Sequence, residues 1–528
     1  MEKGQVIKTI QGRRYLYQRY PFWNKEKQRK DDRWRSLGPC DEQGNLTAAA
    51  KDTDPQAIHS SMPLGELIVF WAAAQELDFL GHATRALGDE RAARLVVALA
   101  LNHVAGRRAL EHVPSWLQET PVAAWLQLED TIDRNDLDAA LAALCHRDSN
   151  GTTRNQGLVL QQALNKQWRG NTREPAQFYY DVTKVVYNGS TLELAEPGYH
   201  PRPTQRNVVG FGLVTSRKHH HPVLCQPIYG SRNDTVTVED TVQTLQAFGY
   251  ERLTMILDRG MVSKANLDFL AAHQHHQVGL VPANNKEAWN HLAKYAPHEI
   301  ERAENVALRP SGMLYARAWT ANLMGRKMRL AVAVDPHRKA RERTNRDELV
   351  YEAQATTNPQ RLREIRRSLG DLATTTSGRR GWTVDQEAVK QDAKGDGRFL
   401  LFSTDLTLSA EDMIRMYFQR EEIERCFRLA KGRLGLEPIR YHRLDRVHAH
   451  ATLVYLAWLL WSWAERRLHE KTPKTSLDQA LTTLESVHLV TFATKKHIHR
   501  WPTRLTGAQE KLLKQLGAFE SLKLLHGG

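Results

Sequence analysis

QFYYDVTKVVY, Gln177 to Tyr187, is dense in aromatic and β-branched residues yet carries Asp181 at its centre. That composition predicts a strand, and a carboxylate is disfavoured inside one. Downstream, NVVGFGLV (Asn207 to Val214) and PVLCQPIYG (Pro222 to Gly230) predict two more strands joined through RKHHH. A helix is expected from Asp234 to Phe248, then the apolar strand LTMILD ending at Asp258. A second helix opens at Ser263 in SKANLDFLAAHQ, and QVGLVPA follows as a strand. The predicted order is β-β-β-α-β-α-β.

Three strands in a meander followed by alternating helix and strand is the mixed α/β plan of a ribonuclease-H-like sheet, in which the first and fourth strands are neighbours. Asp181 and Asp258 then lie side by side, Asp258 at the carboxyl edge where α/β sheets hold their chemistry. Two such carboxylates repel each other unless a positive charge sits between them. Hard oxygen ligands suit Mg²⁺ or Mn²⁺, and two such ions can activate a nucleophile and stabilise a leaving oxygen in phosphoryl transfer.

A third carboxylate is expected from MYFQREEIERCFRLAK, Met416 to Lys431. Read as one helix, it places Tyr417, Arg420, Glu424 and Lys431 on a stripe about 60° wide. Met416, Ile423, Phe427 and Leu434 form an apolar band beside that stripe. Ser409 with Asp412 is a capping box, and Gly432 and Gly435 punctuate the end. A solvated helix face also carries Glu and Arg four apart, so this stripe draws its meaning from the two strand aspartates.

The 528 residues have a net charge of +14, a pI near 9.5 and a mean hydropathy of −0.55, which favours a polyanionic partner or a membrane surface. Cys40, Cys145, Cys225 and Cys426 form no C-x-x-C, which argues against a zinc module or disulfide framework and suits a reducing cytoplasm. The N-terminus lacks the apolar core of a signal peptide. The longest apolar run, Ala451 to Ala464, is shorter than the roughly 20 residues that span a bilayer, so a buried or subunit-contact helix is expected there.

The first forty residues interleave Lys3, Lys8, Arg13, Arg14, Arg19, Lys25, Lys27, Arg29, Lys30, Arg33 and Arg35 with Tyr15, Tyr17, Tyr20, Phe22, Trp23 and Trp34. Such a pattern fits a nucleic-acid contact, and it equally fits a β-hairpin with a wet, charged face. The expected organisation is a basic, aromatic β-hairpin region (1–60), a helical segment with a DNA-binding role by position and charge (61–170), and a first core part (171–283). Next come an inserted domain (284–396), the core's Glu helix (397–440) and a helical C-terminal region suited to dimerisation (441–528). The insertion contains a hairpin across Gly325, a charged helical stretch from Arg338 to Arg367 and, beyond it, the returning strand GRFLLFST. Trp458, Trp461 and Trp463 are expected in a core or interface. His219, His220 and His221 are read as a polar turn, and the pairs His448/His450 and His497/His499 as structural.

Tyr417-x(2)-Arg420-x(3)-Glu424-x(6)-Lys431, with YYDVT around Asp181 and LDRGM around Asp258, resembles the signature of the insertion-sequence-four family of DDE transposases over roughly Gln177 to Leu460. The resemblance implies a catalytic and metal-binding triad of Asp181, Asp258 and Glu424 holding two Mg²⁺ or Mn²⁺. It implies that Tyr417, Arg420 and Lys431 bind the phosphates of a transposon end. The implied reaction is hydrolysis at the end, attack by the freed 3′-OH to give a hairpin, hairpin opening and strand transfer into target DNA. Double-stranded DNA is the implied partner, and a homodimer on paired ends the implied assembly. The expected setting is the bacterial cytoplasm and nucleoid, with no membrane and no small-molecule cofactor. Trp319 reads either as a core residue or, as in relatives, as a base-stacking wedge. An inactive or domesticated DNA-binding protein and a metal-dependent nuclease without strand transfer are the alternative readings.

Overall fold

A computed structural model describes residues 5–10, 13–24, 29–40, 43, 57–128, 130–170, 176–198, 206–282, 285–309, 311–375, 382–493 and 498–524. Of the residues named above, Lys3, Lys25, Lys27 and His497 lie outside these, as do parts of the expected 1–60, 61–170, 171–283, 284–396 and 441–528 regions. The described residues fall into two units, one of 1–73, 112–131 and 467–528, the other of 74–111 and 132–466.

The second unit is built on a ten-stranded mixed sheet. Its strands are β1 (Ala176–Val186), β2 (Arg206–Ser216), β3 (Pro222–Ile228), β4 (Leu253–Leu257), β5 (His276–Leu280), β6 (Val306–Arg309), β7 (Gly312–Leu323), β8 (Arg326–Val334) and β9 (Arg398–Ser403). Their spatial order is β3-β2-β1-β4-β5-β9-β8-β7-β6, and the short strand Glu196–Gly198 pairs with β2. β1 runs parallel to β4 and β4 to β5, whereas β2 pairs antiparallel with β1 on one side and β3 on the other. The expected side-by-side placement of the first and fourth strands is thus observed.

The helices of this unit include α1 (Gln156–Arg169), α2 (Thr237–Ala247), α3 (Lys264–Ala272), α4 (Pro336–Ala355), α5 (Pro359–Leu369), α6 (Ala410–Phe418), α7 (Glu421–Lys431) and α8 (Leu444–His469). Strand alternation decides what covers each sheet face. Phe178 and Tyr180 of β1 join Met255 and Leu257 of β4 under Val238, Val242 and Leu245 of α2. Tyr179 and Ile256 point to the opposite face, under Met416 of α6 and Ile423 of α7. Each such fully buried large side chain contributes about 1.5–3 kcal/mol.

Two features depart from the local pattern. The stretch read as one helix is two, because Glu422 N–H donates to Gln419 O (3.0 Å) and Ile423 N–H to Arg420 O (2.9 Å), tight three-residue turns that break the helical ladder. The break frees Tyr417 to pack with Leu314, Ala331 and Leu401 while Ile423 packs against Tyr179. The segment 284–396 is also not set apart from the core. Its hairpin, β7 and β8 across Gly325 (φ 76°), joins β9, which pairs with β5, so that the insertion extends the same sheet. Above it, Arg346 of α4 grips Asp396 through two bonds of 2.6 Å, both side chains being 8% exposed. Trp319 is buried among Met328, Leu330 and Phe402, as a core residue is.

The first unit contains a three-stranded antiparallel sheet of Gln5–Ile10, Arg13–Asn24 and Arg29–Pro39. A second antiparallel sheet pairs Ala57–Pro63 with His488–Ala493, and that strand with Ile498–Pro502. The C-terminal region is therefore not wholly helical. Its strand composition is fitting, but its partner lies more than four hundred residues earlier, beyond any local signal. The four cysteines are buried and free, and no described helix is long and apolar enough to cross a membrane.

Candidate active site

Parallel pairing sets Tyr180 of β1 opposite Leu257 of β4, and the next residues are Asp181 and Asp258. Asp181 Oδ1 accepts from the Val182 N–H at 2.9 Å and Asp258 Oδ1 from the Arg259 N–H at 2.7 Å, which fixes both carboxylates. Arg420, at the joint between α6 and α7, is 16% exposed and reaches both. Its Nη1 lies 2.6 Å from Asp258 Oδ1 and its Nη2 lies 4.0 Å from Asp181 Oδ2. The Tyr417 hydroxyl donates to Asp258 Oδ1 at 3.5 Å. The helix break thus serves the site, because it lets Tyr417 and Arg420 converge on one carboxylate.

The two acids titrate apart. Burial, helped by repulsion from Asp258 and Asp234, pushes the Asp181 carboxyl up to about 6 against the pull of Arg420 and the Val182 amide. Burial also acts on Asp258, but the Arg420 hydrogen bond and charge, the Arg259 amide and Tyr417 outweigh it and hold that carboxyl below its ordinary range. Burial pushes the Tyr417 phenol up to about 12, so it stays a donor at neutral pH.

The other expected residues sit differently. Lys431 Nζ donates to the Lys184 carbonyl at 3.0 Å, three residues along β1 from Asp181, and burial lowers its pKa. Glu424 is exposed one turn beyond Arg420, and no hydrogen bond or ion pair to it is present among the described residues. Nor do the described residues contain a group of three or more His, Cys, Asp or Glu side chains that could hold a metal. Two expected ligands converge, and their chemistry fits a hard divalent cation, since two fixed carboxylates draw a positive charge that Arg420 supplies here.

Asp234, in the turn before α2, was not anticipated. It adds repulsion to Asp181, is itself raised by burial and by Asp258, and lies 3.9 Å from Lys184 Nζ. Its signal in sequence is faint, an acid in the SRND turn that follows β3.

Residues 180–460 match the family model described as "Transposase DDE domain". The chain belongs to the DDE transposase family. That match runs from Tyr180 within β1 to Leu460 within α8 and so includes every residue of the site described above. No curated protein matches the chain. Among solved structures it is similar to one described as "Cryo-EM structure of piggyBac transposase synaptic complex with hairpin DNA (SNHP)", at 9% identity and a TM-score of 0.38, over 81% of this chain and 83% of that one.

Proposed function

We propose that this DDE transposase belongs to the insertion-sequence-four group, has a ribonuclease-H-like core and moves DNA by cut and paste. The observation that carries the reading is the pair of carboxylates on adjacent parallel strands with Arg420 between them. In this reading Asp181 and Asp258, joined by Glu424, hold two Mg²⁺ or Mn²⁺ ions. When bound, the metal supplies activation of the attacking oxygen and stabilisation of the leaving one. Tyr417, Arg420 and Lys431 bind backbone phosphates of the transposon end, the guanidinium offering the fork that suits a phosphate. Double-stranded DNA is the partner as end and as target, two copies act on paired ends, and the freed 3′-OH forms a hairpin before strand transfer. The bacterial cytoplasm is the setting.

The test is incubation of the purified protein with Mg²⁺ and a plasmid carrying the DNA that flanks its own gene. Metal-dependent excision that disappears in Glu424→Gln supports the reading. Cutting without strand transfer would reassign the chain as a nuclease, and binding without any cutting as an inactive DNA-binding protein.

A further inference from the structure

A cleft of about 810 Å³ opens at the start of β1, beside the turn between β2 and β3. Gln177 on its wall is four residues before Asp181, roughly 13 Å along the strand. Five permanent cations line it, Arg169 of α1, Arg217 and Lys218 of the turn, Arg415 of α6 and Arg466 of α8, and none of its lining residues is an Asp or Glu. Arg415 is ion-paired with Asp412 at 2.5 Å, which offsets part of its charge.

Three of these cations are held against the cleft wall. Arg466 lies over the Trp168 ring at 5.8 Å and Arg169 over the Tyr250 ring at 5.0 Å. Arg217 Nη1 donates to Gln177 Oε1 at 2.8 Å. His221 stacks on Trp168 with centroids 4.8 Å apart. Within this cleft His221 is only 7% exposed, yet its Nδ1 has no hydrogen-bond partner, and neither has the buried Nε of Arg217. Ring faces already covered by His221 and by guanidinium groups favour a backbone over a stacked base.

We propose that this cleft is a second DNA contact, which binds phosphodiester groups of a duplex apart from the Tyr417, Arg420 and Lys431 clamp. The proposal rests on the reading above that DNA is the partner. Cations fixed over aromatic rings bind phosphate with less loss of side-chain freedom than mobile ones do.

The experiment measures binding of the full chain to two fluorescent duplexes, one from the DNA flanking its gene and one of unrelated sequence, over a series of salt concentrations. Lys218→Gln with Arg466→Gln, both at exposed positions, is the variant. Expected is a slope of log affinity against log salt shallower by about two, because two phosphates are no longer neutralised. The charge-preserving Lys218→Arg with Arg466→Lys variant is expected to keep the wild-type slope. Weaker binding of the flank duplex alone would assign the cleft to the transposon end, and equal weakening on both would assign it to DNA of any sequence. Wild-type binding with an unchanged slope in the Gln variant would overturn this inference while leaving the function intact. A wild-type chain that binds neither duplex would overturn both.

Discussion

Asp181→Asn is expected to stabilise the metal-free protein, and by more at pH 7.5 than at pH 5. The Asp181 carboxyl is lifted from 3.8 to about 6, chiefly by burial. An acid whose folded value lies above its unfolded one penalises the folded state once ionised. The penalty is absent below 3.8, where both states are protonated, grows as pH rises, and is complete above about 6. Linkage makes it about 2 kcal/mol at pH 5 and about 3 kcal/mol at pH 7.5. Asparagine is nearly isosteric, keeps an Oδ1 to accept from the Val182 N–H, and carries no charge. The assay is urea unfolding in a chelator at the two pH values, with hydrogen exchange of β1 and β4 amides to localise the change to the second unit. Added Mg²⁺ is expected to stabilise the wild type and leave the variant nearly unmoved, because the cation needs the ionised acid. A variant no more stable than wild type at pH 7.5, or a gain that does not shrink towards pH 5, would refute the reasoning.

Arg420→Ala leaves both carboxylates without their cation, so both are expected to titrate higher by NMR. Its complexes with transposon-end DNA are expected to weaken, with a salt slope shallower by about one; unchanged binding by a folded variant would count against a phosphate role. Arg346→Ala strands the buried Asp396 charge and is expected to cost about 3–5 kcal/mol in denaturant unfolding. Arg346→Lys is expected to recover only part of this, since an ammonium cannot match both carboxylate oxygens. Gly230→Ala puts a Cβ 1.8 Å from the Val208 carbonyl oxygen and is expected to lower thermal stability, by about 1–3 kcal/mol or more.

Local composition was enough to locate the strands and the acids they carry. Apolar and β-branched runs at Gln177, Asn207, Pro222 and Leu253 are local signals, and the observed β1 to β4 lie on them. Their order also sufficed to bring Asp181 beside Asp258, because a meander followed by a right-handed crossover leaves few places for the fourth strand. The remaining features come from contacts between distant parts of the chain. The break at Gln419 and Arg420 is invisible to helical periodicity, since it is set by what α6 and α7 pack against on the sheet. The growth of the sheet through β9, β8 and β7, the pairing of Ala57–Pro63 with His488–Ala493, and the approach of Asp234 to the carboxylates all join residues far apart in sequence. Spacing fixes which side chains share a face, whereas only the packed chain fixes which charges meet, and here it set Arg420 between the two acids and left Glu424 exposed.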